Sequence, residues 1–251
     1  MAFDRLLMDR IRRGDWDLSL RVYGWEPACL SLGKFQDASR EVNIEALCAD
    51  GYDAVRRPTG GRAVWHETEV TYSLVAREEH PMVSGSTGEA LRKVSMPMLA
   101  AILSLGVDVT AGRSEVHREG GAASTANPCF TSHGMWEIGT MDGRKLVGSA
   151  QARSRGVFLE HGSILLGNDQ MKVLDYLPGE PDSARNSRLA RHLTDGIASL
   201  GELAPGVTAR SVEDALHSAF EDSLGTALTE TPASVLEGPE LDILIGEFEH
   251  V

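Results

Sequence analysis

Residues 56–73, RRPTGGRAVWHETEVTYS, place Arg56, Arg57 and Arg62 around the glycine pair Gly60 and Gly61 and set His66 directly before a strand-like run. Glycines at such a turn can take positive φ and let a ligand lie against bare backbone, with their amides aimed at an anionic or carbonyl oxygen. Three arginines favour an anion or carboxylate as that ligand. The alternative is a tight hairpin turn, where glycine pairs are common. His66 is either a satisfied strand histidine or part of the same pocket. The chain's thiols are Cys29, Cys48 and Cys129. Cys29 and Cys48 fall inside apolar strand and helix patterns, which predicts core positions, whereas Cys129 follows Pro128 in an irregular stretch. Walker, dinucleotide-binding, nucleophile-elbow and HExxH motifs do not occur, and His66 lacks the second histidine that zinc requires one turn on. No metal and no cofactor are expected. A thiol, a lysine and glycine-rich backbone remain, and together they suit acyl chemistry.

The elements that must position these residues alternate in type. Met1 to about Arg13 is an amphipathic helix pattern, and LSLRVYGW and ACLSLGKF read as strands. Asn43 is placed to cap a short helix ending near Gly51, followed by the strand-like DAVRR. EVTYSLVA is again a strand pattern. Residues from about Ser86 to Leu105 carry the longest helical pattern, closed by Gly106, and Pro97 within it predicts a kink or break. GRSEVHREGGAASTANP is polar and aperiodic, which predicts a loop. MWEIGT, the turn MDGR and KLVGSA form a predicted hairpin with an Asp-Gly signal, and GVFLEHGSILL extends the sheet. The remainder is mainly helical, including about Val212 to Leu224. The expected fold class is α+β or mixed α/β, in one domain spanning 1–251, strand-rich over 1–167 and mainly helical over 168–251.

The sequence has 251 residues and 42% hydrophobic content, enough to bury a sizeable core without disulfide or metal staples. Charges interrupt the N-terminal segment where a signal peptide would be apolar, and no stretch approaches a membrane span, so a cytoplasmic location is expected. Three well-separated cysteines with no C-x-x-C pair predict free thiols. A formal net charge of −13 argues against nucleic acid as a partner. Arg144, Lys145, Arg153 and Arg155 form a local acid-free stretch, read either as a docking face for an acidic partner or anionic ligand, or as an ordinary solvated hairpin face.

Three blocks carry a resemblance. RRPTGGRAVWHETEVTYS, the stretch GRKLVGSAQARSRGVFLEHGSILL from Gly143 to Leu166, and LRVYGWEPACLSLGKFQ near the start resemble the lipoate and octanoate transfer family, which shares its catalytic fold with biotin protein ligases. That resemblance implies a mixed β-sheet flanked by helices with a helical C-terminal segment. NPCFTSHGMWE, ahead of the lysine block, is similar to the octanoyl-carrier-protein:protein octanoyltransferases of the LipM type, in which a Cys-Phe pair supplies the nucleophile. The implied catalytic pair is Cys129 and Lys145. An unperturbed thiol is only a few per cent thiolate at neutral pH, so a cation must stabilise the sulfur anion. Lys145 is that cation by resemblance; without the motif it reads as a solvent-facing hairpin lysine, and Cys129 as a small buried hydrophobe. The implied substrate-binding residues are Arg57, Thr59, Gly60, Gly61, Arg62, His66, Tyr72, Gly148, Ser149, His161 and Gly162. Amides near Gly60, Gly61 or Gly162 would stabilise an oxyanion. Tyr72 and Ser73 read as pocket lining or core, and His161 as a residue that orients the loop or packs. The implied partners are octanoyl-acyl carrier protein and the lipoyl domains of 2-oxoacid dehydrogenases or glycine cleavage H protein, with no cofactor. Rival readings are an ATP-dependent lipoate ligase, an amidotransferase between lipoyl domains, and a noncatalytic acyl-binding protein.

Overall fold

A computed structural model describes residues 1–112, 136–179 and 183–248. In chain order the elements are α1 (Ala2–Arg13), β1 (Leu18–Tyr23), β2 (Cys29–Leu32), α2 (Ala38–Glu41), α3 (Ile44–Ala49), β3 (Asp53–Arg56), β4 (Val64–His66) and β5 (Glu69–Arg77). Then follow α4 (Thr87–Ser104), β6 (Val109–Ala111), β7 (Ile138–Thr140), β8 (Val147–Ser154) and β9 (Val157–Leu165). A 3-10 helix over Asp169–Tyr176 leads to α5 (Ala184–Gly196), α6 (Leu200–Leu203), α7 (Ala209–Leu224) and α8 (Pro239–Phe248).

The main sheet is antiparallel in the order β1-β5-β9-β8, and β5 and β9 are buried on both faces. Successive side chains of a strand point to opposite faces. Tyr72, Leu74 and Ala76 of β5, with Phe158 and Ile164 of β9, therefore pack against Val94, Met98 and Ile102 of α4 and Leu216 and Phe220 of α7. Val75, Val157 and Leu159 take the other face, against Leu7, Met8 and Ile11 of α1. A second sheet, β3-β2-β4, is mixed: β2 runs parallel to β3 and antiparallel to β4. It packs through Leu30, Leu32 and Trp65 on Tyr176 and on Leu189 and Leu193 of α5, with Trp65 and Tyr176 stacked at 5.7 Å. The α+β class is observed.

Local signals behave as expected where they are strong. Gly14, at φ 87°, closes α1, and the Asn43 side chain accepts from the Ala46 amide at the start of α3. Ser86 and Glu89 cap α4 reciprocally. The break expected at Pro97 does not occur; the helix runs through it. Proline removes one helical N–H, and the burial of Ala90, Val94, Met98, Ala101 and Ile102 along one stripe outweighs that loss. The predicted hairpin around Asp142 and Gly143 forms over a short span: the Thr140 amide donates to the Arg144 carbonyl oxygen at 2.9 Å, the Leu146 amide to the Ile138 carbonyl oxygen at 3.0 Å, and Gly139 bridges Lys145. Its arms then part: β7 pairs with β6, whereas β8 joins β9. Cys29 is buried as expected, but Cys48 lies on the outward side of α3 and is exposed; Leu47 is the residue that faces the core.

One packing contact in the main sheet is unusually close. Tyr72 lies opposite Gly162, which in turn lies opposite Ser149. A Cβ at Gly162 would sit 2.3 Å from the Gly148 carbonyl oxygen and 2.8 Å from Tyr72 Cε1. The Tyr72 phenol donates to Glu160 Oε1 at 3.1 Å and shares a second hydrogen bond of 2.7 Å with the Ser149 hydroxyl. Burial pushes the Glu160 carboxyl up to about 8, against the opposing pull of the Tyr72 hydrogen bond.

Two outcomes follow from these contacts. Gly162→Ala is expected to lose about 3 kcal/mol of stability, read as a lowered denaturant midpoint, because the clash is with backbone that cannot move cheaply. The unfolded chain releases the Glu160 proton near pH 4.5 while the folded chain keeps it to about 8. Stability from this group is thus complete below pH 4.5 and falls by about 1.4 kcal/mol per pH unit up to the folded value. Glu160→Gln should match the parent at pH 5 and exceed it at pH 9 in thermal melts; equal melts at pH 9 would contradict a buried, proton-bearing Glu160.

Candidate active site

The turn after β3 is built by arginines that serve the chain itself. Arg57 is buried, and its Nη1 donates to both the carbonyl oxygen and the Oγ of Ser31, each at 3.0 Å. Its Nε and Nη2 reach the Gly60 carbonyl oxygen at 3.3 and 3.1 Å, and Nη2 also donates to the Arg62 carbonyl oxygen. Arg56 Nη1 donates to the carbonyl oxygens of Gly33 and Gln36, at 3.2 and 2.7 Å. Gly61 adopts φ 98°, the left-handed region that the glycine pair suggested. The fork geometry of guanidinium, which predicted an anion ligand, is matched here by convergent backbone carbonyls.

Ser31, Arg57, His66, Gly148, Ser149, His161 and Gly162 all line one pocket where the two sheets meet. Val64 and Trp25 supply apolar wall; the Trp25 ring stacks on His66 at 4.4 Å and its indole N–H donates to Thr71 Oγ1 at 2.7 Å.

The cavity floor is polar, and most of its groups are partnered; among the described residues the Glu69 Oε2 and Tyr23 phenol oxygens are buried without a hydrogen bond. His66 Nε2 lies 2.7 Å from Ser31 Oγ, and its Nδ1 lies 2.8 Å from Glu69 Oε1. Proton positions follow from donor capacity. Arg57 can only donate to Ser31, and Glu69 as a carboxylate only accepts, so Ser31 donates to Nε2 and Nδ1–H donates to Glu69. Thr71 and Ser163 hydroxyls donate to the same Glu69 oxygen. A second chain runs beside it: Thr59 Oγ1 is 2.6 Å from His161 Nε2, and His161 Nδ1 is 3.4 Å from Asp4 Oδ2. Asp4 also receives Arg21 at 2.9 Å. Burial alone would raise the Asp4 carboxyl, but the His161 hydrogen bond and the Arg21 charge overcome it and hold Asp4 well below the usual range. Burial lowers His161, more than the Asp4 bond raises it, which keeps the imidazole neutral.

Lys145 is the largest departure from the bland expectation for its type. It is 1% exposed, and its Nζ meets Glu137 at 2.7 Å. Its backbone is held from the helical side of the chain: the Lys145 amide donates to the Gly196 carbonyl oxygen at 2.8 Å, and the Ala198 amide to the Lys145 carbonyl oxygen at 2.9 Å. Cys129 lies outside the described residues. Within the basic stretch around Lys145, Arg155 is exposed, and the other two arginines are paired. Arg144 is paired with Asp142 and Glu202, and Arg153 with Glu78 and the carbonyl oxygens of Val83 and Gly85.

Tyr72 and Ser73 are core residues, both fully buried. Ser31, Glu69, Asp4, Arg21 and Glu137 were not singled out from sequence. Glu69 stood three residues after His66, and Glu137 within the block preceding the lysine; nothing local marked Ser31 or Asp4. Burial pushes the Cys29 thiol up to about 12, which leaves it inert. Among the described residues no cluster of three or more His, Cys, Asp or Glu side chains is arranged for a metal ion, and no helix is long and apolar enough to cross a membrane.

Comparison with known proteins places this geometry in a lineage. The family model of the lipoyl protein ligase A/B catalytic domain matches residues 1–221. The chain is 44% identical over 230 residues to octanoyltransferase LipM of Kyrpidia tusciae, covering 91% of this chain and 83% of the relative. It is 37% identical over 211 residues to octanoyltransferase LipM of Bacillus subtilis, covering 83% and 74% respectively. Among solved structures, a bipartite lipoate protein ligase from Thermoplasma acidophilum superposes with a TM-score of 0.71 at 21% identity, over 97% of this chain and 86% of that one. That likeness extends to the fold, and the sequence relatives carry it further: the chain belongs to the lipoyl protein ligase A/B catalytic-domain family.

Proposed function

We propose that the protein transfers an octanoyl group from octanoyl-acyl carrier protein to a lysine of lipoyl domains, through a thioester on Cys129. The observation that carries this reading is Lys145: a buried ammonium, held by backbone on both sides and paired with Glu137, in a chain whose relatives are named octanoyltransferase LipM. A buried cation has a large field, because little water screens it. Beside the acyl site it would stabilise the Cys129 thiolate and then the oxyanion formed on attack.

In the first half-reaction the Cys129 sulfur bonds to the thioester carbonyl carbon, the carbon–sulfur bond to the carrier breaks, and the carrier thiolate leaves and takes up a proton. One thioester replaces another, so the step needs no ATP. In the second, the neutral amine of the acceptor lysine attacks the acyl-enzyme, the Cys129 thiolate leaves, and the amine proton passes to solvent or a nearby base. An amide replaces a thioester, and the step is downhill. The cavity walled by Trp25 and Val64 holds the acyl chain, over a floor whose imidazoles already have partners. Arg57, Thr59, Gly60, Gly61 and Arg62 shape the rim, His66, His161 and Tyr72 hold the floor, and Gly148, Ser149 and Gly162 line the slot. Residues 1–251 act as one catalytic domain, in the cytoplasm, and the lipoyl acceptor belongs to a 2-oxoacid dehydrogenase or glycine cleavage H protein.

Incubating the pure protein with octanoyl-acyl carrier protein and no ATP should give an octanoyl adduct by intact mass, absent in Cys129→Ser. An adduct that persists in that variant would overturn the assignment. Lys145→Met should slow adduct formation by about 10²–10³-fold, the usual loss for a group that stabilises developing charge; a change of less than threefold would remove Lys145 from the mechanism. A requirement for ATP would turn the reading to a ligase.

A further inference from the structure

The loop joining β2 to α2 places a phenylalanine in water at the rim of the candidate site. Phe35 is 85% exposed, the most exposed large hydrophobic side chain among the described residues. Its mount is rigid. The Lys34 amide donates to the Thr59 carbonyl oxygen at 2.9 Å, and the Gly33 amide to Gln36 Oε1 at 2.9 Å. Arg56 bridges the Gly33 and Gln36 carbonyl oxygens. Gly33 sits so close to the glycine turn that a Cβ there would be 2.0 Å from the Gly61 carbonyl oxygen. The Phe35 ring lies 4.0 Å from where a Cβ on Gly60 would be. The loop and the glycine turn are thus one unit, and Thr59 in that unit bonds His161 of the cavity floor.

A lysine stands beside the ring. Lys34 Nζ stands 5.6 Å from the Phe35 ring centre. Among the described residues neither Lys34 nor Arg56 has a carboxylate within ion-pair distance, whereas Arg13, Arg144, Arg153, Lys172 and Arg210 are each paired with one; Arg77, Arg92, Lys93, Arg155 and Arg191 share the unpaired state, and what sets Lys34 apart is its place beside the exposed ring. On a chain of net charge −13, an unpaired lysine at the rim gives an acidic partner a local attraction.

We propose that Phe35 and Lys34 form the docking lip for the acceptor: an acidic protein domain that presents the lysine to be acylated. The choice of acceptor over donor rests on reach. A lysine extends only its four-carbon stem beyond the backbone, so the acceptor body must lie flush with the rim. A carrier protein delivers its acyl group on a prosthetic arm several times longer and can stand off. Aromatic side chains dominate binding energy at interfaces, and a side chain already held in place loses little freedom on association. This inference rests on the proposed acceptor class.

The test is titration calorimetry of an unlipoylated lipoyl domain against the full-length protein, its Phe35→Ala and Lys34→Glu variants, and Ile243→Ser as a control at a site 67% exposed on α8. Phe35→Ala and Lys34→Glu should each weaken Kd at least tenfold, and Ile243→Ser less than twofold. Parent binding should weaken with added salt, and the Lys34→Glu variant should lose most of that dependence. Octanoyl-adduct formation from a small octanoyl thioester should stay within twofold of the parent in both lip variants, which shows that they fold. Unchanged Kd in Phe35→Ala, no binding by the parent, or a defect confined to octanoyl-acyl carrier protein would each overturn the proposal. Parent binding without acyl transfer would instead refute the proposed reaction and leave the lip standing.

Discussion

One buried guanidinium sets the shape of the site. Arg57 carries five N–H donors in a rigid fork and cannot lose its charge, so it is tolerable out of water only where acceptors converge on it. The chain supplies them from two places: Ser31 on β2, and the carbonyl oxygens of Gly60 and Arg62 in the turn after β3. Satisfying that cation forces the turn to curl back over the second sheet. Gly61 is needed at positive φ for the same reason, and Gly33 must lack a side chain for the neighbouring loop to close against it.

The cation also heads a chain of hydrogen bonds below it. Arg57 donates to Ser31, Ser31 Oγ meets His66 Nε2, and His66 Nδ1 meets Glu69. The parallel path from Thr59 through His161 to Asp4 runs in the same sense, toward a carboxylate that Arg21 steadies. In a low-dielectric interior such chains strengthen one another, and a missing member is costly. The result is a floor in which both histidines and the Ser31, Thr59, Thr71 and Ser163 hydroxyls have partners, while Glu69 Oε2 and the Tyr23 phenol do not.

Features with a short-range cause were legible in the sequence. The periodicity of α1, the Asn43 cap, the strand-like apolar runs of β5 and β9 and the strain-tolerant glycine at 61 are each decided by neighbours within a few residues. Gly148, Ser149 and Gly162, which the family blocks marked, meet through the β8–β9 pairing and line one pocket, whereas Lys145 stands two residues before β8 and outside that lining. Other features were hidden because distant residues decide them. Lys145 looked like an exposed hairpin residue; its burial depends on a bridge to Ile197 in the helical part of the chain. Asp4 sits in a surface-like helix pattern and is buried only because β9 brings His161 over it. Arg57 holds Ser31 of β2 and the Gly60 and Arg62 carbonyl oxygens, contacts that only the folded chain brings together. The Pro97 signal was outvoted by burial along α4.

The bridge at Lys145 has an architectural consequence. Gly196 and Ala198 grip that residue from both sides of its peptide plane, so the candidate catalytic ammonium is suspended between a strand of the main sheet and the end of α5. Cutting the polypeptide anywhere between β9 and Ala198 would separate the ammonium's two supports. A split version of this protein, or a fusion inserted into it, belongs downstream, where α7 has ended at Gly225 and the backbone no longer touches the lysine.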